Sequence, residues 1–165
     1  METLKAIIND VMDRLQEVGD IKYVDKNWGQ LMCDPPAVKY PCALVDIGDA
    51  DYENLGSGEQ VVSVVVNIEV SVQRLTPSSN ASKRRVDSYA DLELLGKIHN
   101  ALHLYGTDKY QPLLRIRFYK EDTEPGVSTY RVMYRTAYIT PPVERYEKKE
   151  VRTVRILPSL LPDAQ

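Results

Sequence analysis

Between Val61 and Leu75 the chain alternates in a way that suits one backbone geometry. Val62, Val64, Val66, Ile68, Val70 and Val72 hold one parity, while Ser63, Asn67, Glu69, Ser71 and Gln73 hold most of the other. Successive side chains of a strand point to opposite faces, so the pattern predicts one core-facing side and one wet side. At about 3.3 Å per residue the run would reach roughly 50 Å, far beyond a common strand. It must bend, bulge or extend past its domain, and an extended hairpin arm would offer a partner a strand edge.

The segments around this strand predict an α+β fold: an antiparallel, mixed-order sheet of about four to six strands with two helices packed on one face. Leu4, Ile7, Ile8, Val11, Leu15 and Val18 recur at three- and four-residue steps, giving a first helix over 4–18 with Thr3 as its cap and Gly19 as its stop. A short strand near Ile21 to Val24 leads into a connection carrying Pro35, Pro36 and Pro41, in which Trp28 is expected to plug the core. Cys42 to Ile47 is the next strand, and GDADYENLGSGE after it has turn chemistry, predicting a solvated acidic hairpin loop. The polar, basic stretch 76–85 (TPSSNASKRR) is expected to order on assembly. A second helix runs from about Ser88 to Tyr105 on the stripe Leu92, Leu95, Ile98, Leu102 and Tyr105, with a capping box at Ser88 and Asp91 and Gly106 as the stop.

Two strands close the domain. Leu114, Ile116 and Phe118 share one face of the first, and Tyr130, Val132, Tyr134 and Tyr138 one face of the second. Paired as a hairpin through the EDTEPG turn, they would set Arg115, Arg117, Arg131 and Arg135 together on the other face. Pro141 and Pro142 end the sheet, so the division expected is a domain at 1–140 and a C-terminal extension at 141–165, where Val151 to Ile156 could form a last edge strand or an arm docking on a neighbour.

At 165 residues, 43% hydrophobic and 27% charged, the chain has enough material for one core without staples. Glu2, Asp10 and Asp13 interrupt the N-terminal apolar residues, which predicts an amphipathic helix and not a signal peptide, and no apolar run approaches the length of a membrane helix. Cys33 and Cys42 lack CxxC spacing and suit two reduced thiols of a cytosolic protein. The net charge of −3 conceals a division. Residues 1–59 carry 5 Lys and Arg against 12 Asp and Glu, a balance of −7; residues 111–155 carry 10 against 6, a balance of +4. Oppositely signed surfaces can steer one copy head-to-tail onto another; two unrelated solvated faces are the alternative.

Catalytic and ligand-binding patterns are sparse. His99 and His103, spaced i, i+4, can share one metal, but no HExxH glutamate lies between them, and partly buried side chains beside an apolar stripe are the better reading. No cofactor is expected. GxSxG, P-loop and GxGxxG motifs are missing, and the lone GSG at Gly56 to Gly58 sits among acids that would repel phosphate. Asp46, Asp49 and Asp51 fall where Asp is favoured for local turn reasons. Lys83, Arg84, Arg85 and the Arg-bearing hairpin leave room for weak contact with passing DNA, against a net negative charge. The rival classes are thus a small metal-dependent enzyme and a nucleic-acid-binding regulator.

Taken in order, the amphipathic helix, the short strand, YPCALVDIGDADYENL joined to QVVSVVVNIEVSVQRL, the polar loop, the helix DLELLGKIHNALHLYG and a closing hairpin ending in YRVMYRTAYI resemble the tail terminator and tail-completion proteins of long-tailed bacteriophages, and are similar to the related head-tail joining proteins. The resemblance covers about residues 1–140, and 141–165 depart from it. It implies a virion neck protein with no enzymatic activity, made in the host cytoplasm, whose copies form a ring, commonly a hexamer. Such a ring caps the tail tube, stops its growth and meets the head-tail connector protein. On that reading Asp49, Asp51 and Glu53 of one copy are expected against Arg115, Arg117, Arg131 and Arg135 of the next, with Lys83, Arg84 and Arg85 facing the tube or its lumen.

Overall fold

The computed structural model describes residues 1–56, 58–73, 89–121 and 126–142. The basic stretch with Lys83, Arg84 and Arg85, the cap residue Ser88, most of the EDTEPG turn and the run 151–156 lie outside the described residues.

The chain is α+β: helix α1 (Glu2–Gln16), strands β1 (Tyr23–Lys26), β2 (Cys42–Gly56) and β3 (Glu59–Gln73), helix α2 (Ala90–Leu102), then β4 (Leu114–Glu121) and β5 (Val127–Thr140). The strands form one five-stranded sheet in the order β1-β2-β3-β5-β4. Only the β1–β2 pair is parallel; the other three are antiparallel.

The alternation over 61–75 becomes the middle strand. Val62, Val64, Val66, Ile68 and Val70 are fully buried on one face, and β3 is paired along nearly its whole length with β2 on one side and β5 on the other. Ala43 and Val45 of β2 join them, as do Tyr130, Val132, Tyr134 and Tyr138 of β5. Ile7, Val11 and Leu15 of α1 and Leu94, Leu95, Ile98 and Leu102 of α2 cover that same face. Arg14 ties the helices together: its Nε and Nη2 donate to the Ala101 carbonyl at 3.3 and 3.2 Å, and its guanidinium lies 4.7 Å from the Tyr105 ring centre.

Several local expectations are corrected. Thr3 lies inside α1, whose cap position is Met1 with no side-chain bond, and the helix ends at Gln16, ahead of Gly19. The short strand is shifted to Tyr23–Lys26. Trp28 is 61% exposed and its indole N–H reaches Asp25 Oδ2 at 3.3 Å; the plug is its neighbour Gln30, fully buried. The Gln30 amide donates to the Lys26 carbonyl at 2.8 Å and to Asp25 Oδ2 at 3.1 Å, and accepts from the Trp28 backbone at 2.9 Å. A side chain with both donor and acceptor can satisfy the backbone of a tight connection, which an indole cannot. In α2, Leu94 is buried and Leu92 half exposed, Asp91 accepts a bond from Tyr130 of β5, and the helix stops at Leu102, four residues before Gly106.

The largest correction concerns the acidic stretch. It is no loop: β2 runs on through Asp49, Asp51 and Glu53 to Gly56, and the chain reverses across 56–59, where Gly56 and Gly58 have φ of +91° and +84°. Continuous pairing with β3 outweighs the turn preference of Asp, Asn and Gly, because an unpaired β3 would leave a row of backbone groups unsatisfied. A bulge between Ile47 and Asp49 absorbs the strain of so long a pair.

Candidate assembly surface

Pairing register fixes which side chains share a face. On the side away from the helices, Asp49, Asp51 and Glu53 of β2 stand opposite Val65, Ser63 and Val61 of β3. Val65 in turn stands opposite Arg135, and Glu69 opposite Arg131. The carboxylates and the arginines of β5 therefore lie on one face with β3 between them.

The four arginines do not form one patch. A bulge between Arg115 and Arg117 flips the alternation of β4. Arg115 pairs with the buried Tyr134 and so falls on the helix side, whereas Arg117 pairs with Met133 on the other. The same bulge separates Leu114 from Phe118, which pairs with Val132 and stacks 6.0 Å from Tyr130. Arg131 is engaged within its own chain, with Nε 2.9 Å from Glu121 Oε1 and Nη2 3.6 Å from Glu69 Oε2. Burial holds the Glu69 carboxyl above its usual range, aided by Glu121 and opposed by Arg131 and the Asn27 amide. Arg117 lies 5.0 Å from the Tyr119 ring centre, and Arg135 is exposed.

The two lateral edges of the sheet are open over different stretches. At one side β1 covers only Cys42 to Val45, with the Asn27 N–H adding a bond to the Val45 carbonyl at 2.8 Å. Beyond it the N–H groups of Ile47 and Ala50 are accepted by the carboxylates of Asp46 and Asp49, each at 2.9 Å. From Asp51 to Gly56 no strand covers β2 among the described residues, and Tyr52 is half exposed there. At the other side the segment before β4 closes the far end: the Leu104 N–H donates to the Leu113 carbonyl at 2.8 Å, the Leu113 N–H to the Tyr105 carbonyl at 2.7 Å, and the Gln111 N–H to the Ala137 carbonyl at 2.8 Å. That segment also borders an open groove of about 410 Å³ lined by Val61, Tyr110 and Ile139. What stays open on this side, among the described residues, is β4 itself beyond Arg115, whose N–H lies 3.4 Å from His103 Nδ1. Ile116 and Phe118 are 42% and 49% exposed.

Exposed aromatic side chains on open strand edges were the feature sequence reasoning missed. Tyr52 hid in a segment whose acids signalled a loop, and alternation alone set Phe118 on one strand face with Leu114 and Ile116 without marking it as exposed. The signal that existed was the length of β3, which demands a partner equally long.

His99 and His103 come together, ring centres 4.6 Å apart. Burial, with Arg115 and His103 adding repulsion, lowers the His99 pKa. No group of three or more His, Cys, Asp or Glu side chains able to hold a metal occurs among the described residues. None of the described helices is long and apolar enough to cross a membrane.

No protein-family profile and no curated protein matches this chain in sequence. Among solved structures it is similar to a chain in the virion of a native gene transfer agent (GTA) particle, with 11% identity, 81% of this chain and 94% of that chain covered, and a TM-score of 0.48.

Proposed function

We propose that this chain is a structural virion subunit of the tail and neck region, which forms a ring on the end of the tail tube, ends its polymerisation and presents a surface to the head connector. It acts by shape and by contacts between copies, not by catalysis, and is made in the host cytoplasm before it enters the particle. The observation that carries the reading is the pair of strand edges, open among the described residues, on opposite sides of one sheet, one lined by Asp51 and Glu53 and the other by Arg117 and Phe118. Two different, mutually complementary patches on one subunit favour a head-to-tail contact, and such contacts close into rings when the rotation allows. The element order that resembles tail terminators adds to this: helix, long hairpin, helix, closing hairpin. A head-tail connector or a tube-related subunit would use the same surfaces with other neighbours.

Light scattering gives the solution mass, and negative-stain electron microscopy the particle shape. Rings that shorten tubes when added to polymerising tail-tube protein are expected. A monomer at every concentration, inert toward that protein, overturns the reading.

A further inference from the structure

Among the described residues, the open stretches of the two edges are diagonal to each other. On the β2 side the stretch is Asp51 to Gly56, next to the β2–β3 reversal; on the β4 side it is Ile116 to Glu121, at the opposite end, because β4 pairs with the half of β5 nearest Val127. β1 covers Cys42 to Val45 of the first edge, the Asp46 and Asp49 carboxylates take up the Ile47 and Ala50 N–H groups beyond it, and residues 104–113 close off the far end of the second. Each open stretch is six residues long.

We infer that the open edge of β4 in one copy adds to the open edge of β2 in the next copy as an antiparallel strand, with Phe118 opposite Tyr52, Arg117 opposite Glu53 and Tyr119 opposite Asp51. This rests on the ring reading and names the contact that would build it. Direction follows from the topology. β2 and β4 run in opposite senses within one subunit, and rotation about a ring axis preserves each sense, so neighbours meet antiparallel. Faces agree as well: Tyr52 pairs with Val62 and Phe118 with Val132, both on the helix side, while Glu53 and Arg117 both lie on the other. A slip of one residue would reverse every face. A slip of two that brings Glu53 onto Tyr119 sets Asp51 against Glu121, like charge on like charge. The chosen register joins the half-exposed aromatics and a carboxylate to a guanidinium at once. Diagonal edges also impose a stagger between neighbours, which a sheet needs in order to close on itself.

The occupant is a second copy because its edge supplies the opposite charge and matching aromatic on the same chain. Full-length Glu53→Arg and Arg117→Glu, both changed at exposed side chains, are each expected to raise the concentration at half-assembly by at least about tenfold. The Glu53→Arg/Arg117→Glu double variant, and an equal mixture of the two single variants, should assemble within about threefold of the unaltered chain. Tyr52→Cys with Phe118→Cys, in a Cys33→Ser background, should give a ladder of linked subunits on mild oxidation, and either cysteine alone should not. Rings that form unchanged in both single variants, with no 52–118 cross-link, overturn this contact and leave the ring reading standing. Failure of the unaltered chain to assemble, alone or with tail-tube protein, overturns both. Assembly only through tail-tube protein, with the cross-link running to that protein, overturns the choice of a second copy as the occupant.

Discussion

The Tyr130 hydroxyl donates to Asp91 Oδ2 at 2.6 Å, and both residues are more than nine-tenths buried. The bond fastens the first turn of α2 to β5, across the face that the helices cover. Tyr130→Phe removes the donor and leaves the buried carboxylate short of a partner, which costs about 1–3 kcal/mol. Urea unfolding checks it; an unchanged midpoint would show that the carboxylate has no need of the phenol.

Tyr134 is the reverse case. Its side chain is fully buried, and its hydroxyl finds no partner among the described residues. Burial pushes its pKa up to about 12, a shift that Arg115 moderates. The folded pKa is raised, so the stability tied to this group is intact below about pH 10 and is lost as pH climbs from 10 toward 12. Tyr134→Phe is therefore expected to match or exceed the parent in stability by up to about 1 kcal/mol at neutral pH, and to resist alkaline unfolding better. Thermal melts at pH 7 and pH 11 report both.

His99 gives the acid side of the profile. Its pKa is lowered by burial, then by Arg115 and His103. For a lowered histidine the neutral form is favoured in the fold, so its contribution is whole above about pH 6.5 and fades as pH falls through the lowered value. The parent should lose more stability between pH 7.5 and pH 5 than His99→Gln does; parallel pH curves for the two would refute this.

Gly48 sits at the bulge of β2 beneath Asn67. A Cβ there would stand 2.3 Å from Asn67 Nδ2 and 2.8 Å from its Cγ. Asn67 is a short side chain on the central strand and can retreat only by disturbing its neighbours. Gly48→Ala should destabilise the fold by about 1–3 kcal/mol, and Gly48→Ala with Asn67→Ala should recover most of that loss. Denaturant titration of the three variants decides it.

Much of the fold was legible because burial imposes periodicity. The valines of β3, the Ile7, Val11 and Leu15 stripe and the tyrosines of β5 each carry the spacing of the face they present. The parts that were not legible depend on pairing between distant segments. Asp49 to Asn54 have turn preferences that a fifteen-residue partner strand overrides, and no local signal marks it. The bulge at Ile116 depends on β5, so the separation of Arg115 from Arg117 could not be seen from alternation in β4 alone. Trp28 and Gln30 exchanged roles because hydrogen-bond capacity, not size, decides who fills a tight connection. Of the expected contact residues, Asp51, Glu53 and Arg117 lie along the open edges, while Arg131 serves its own chain.

The position of β3 between β2 and β5 sets a timetable for synthesis. Its β2 neighbour precedes it on the chain, yet Gln60 pairs with Thr140, 80 residues later. At about 5–20 residues per second a ribosome needs roughly 4 to 16 seconds to supply that second flank. Until then the most valine-rich segment of the protein waits half-paired, and the long loop that must close makes this the slow, aggregation-exposed step of its maturation.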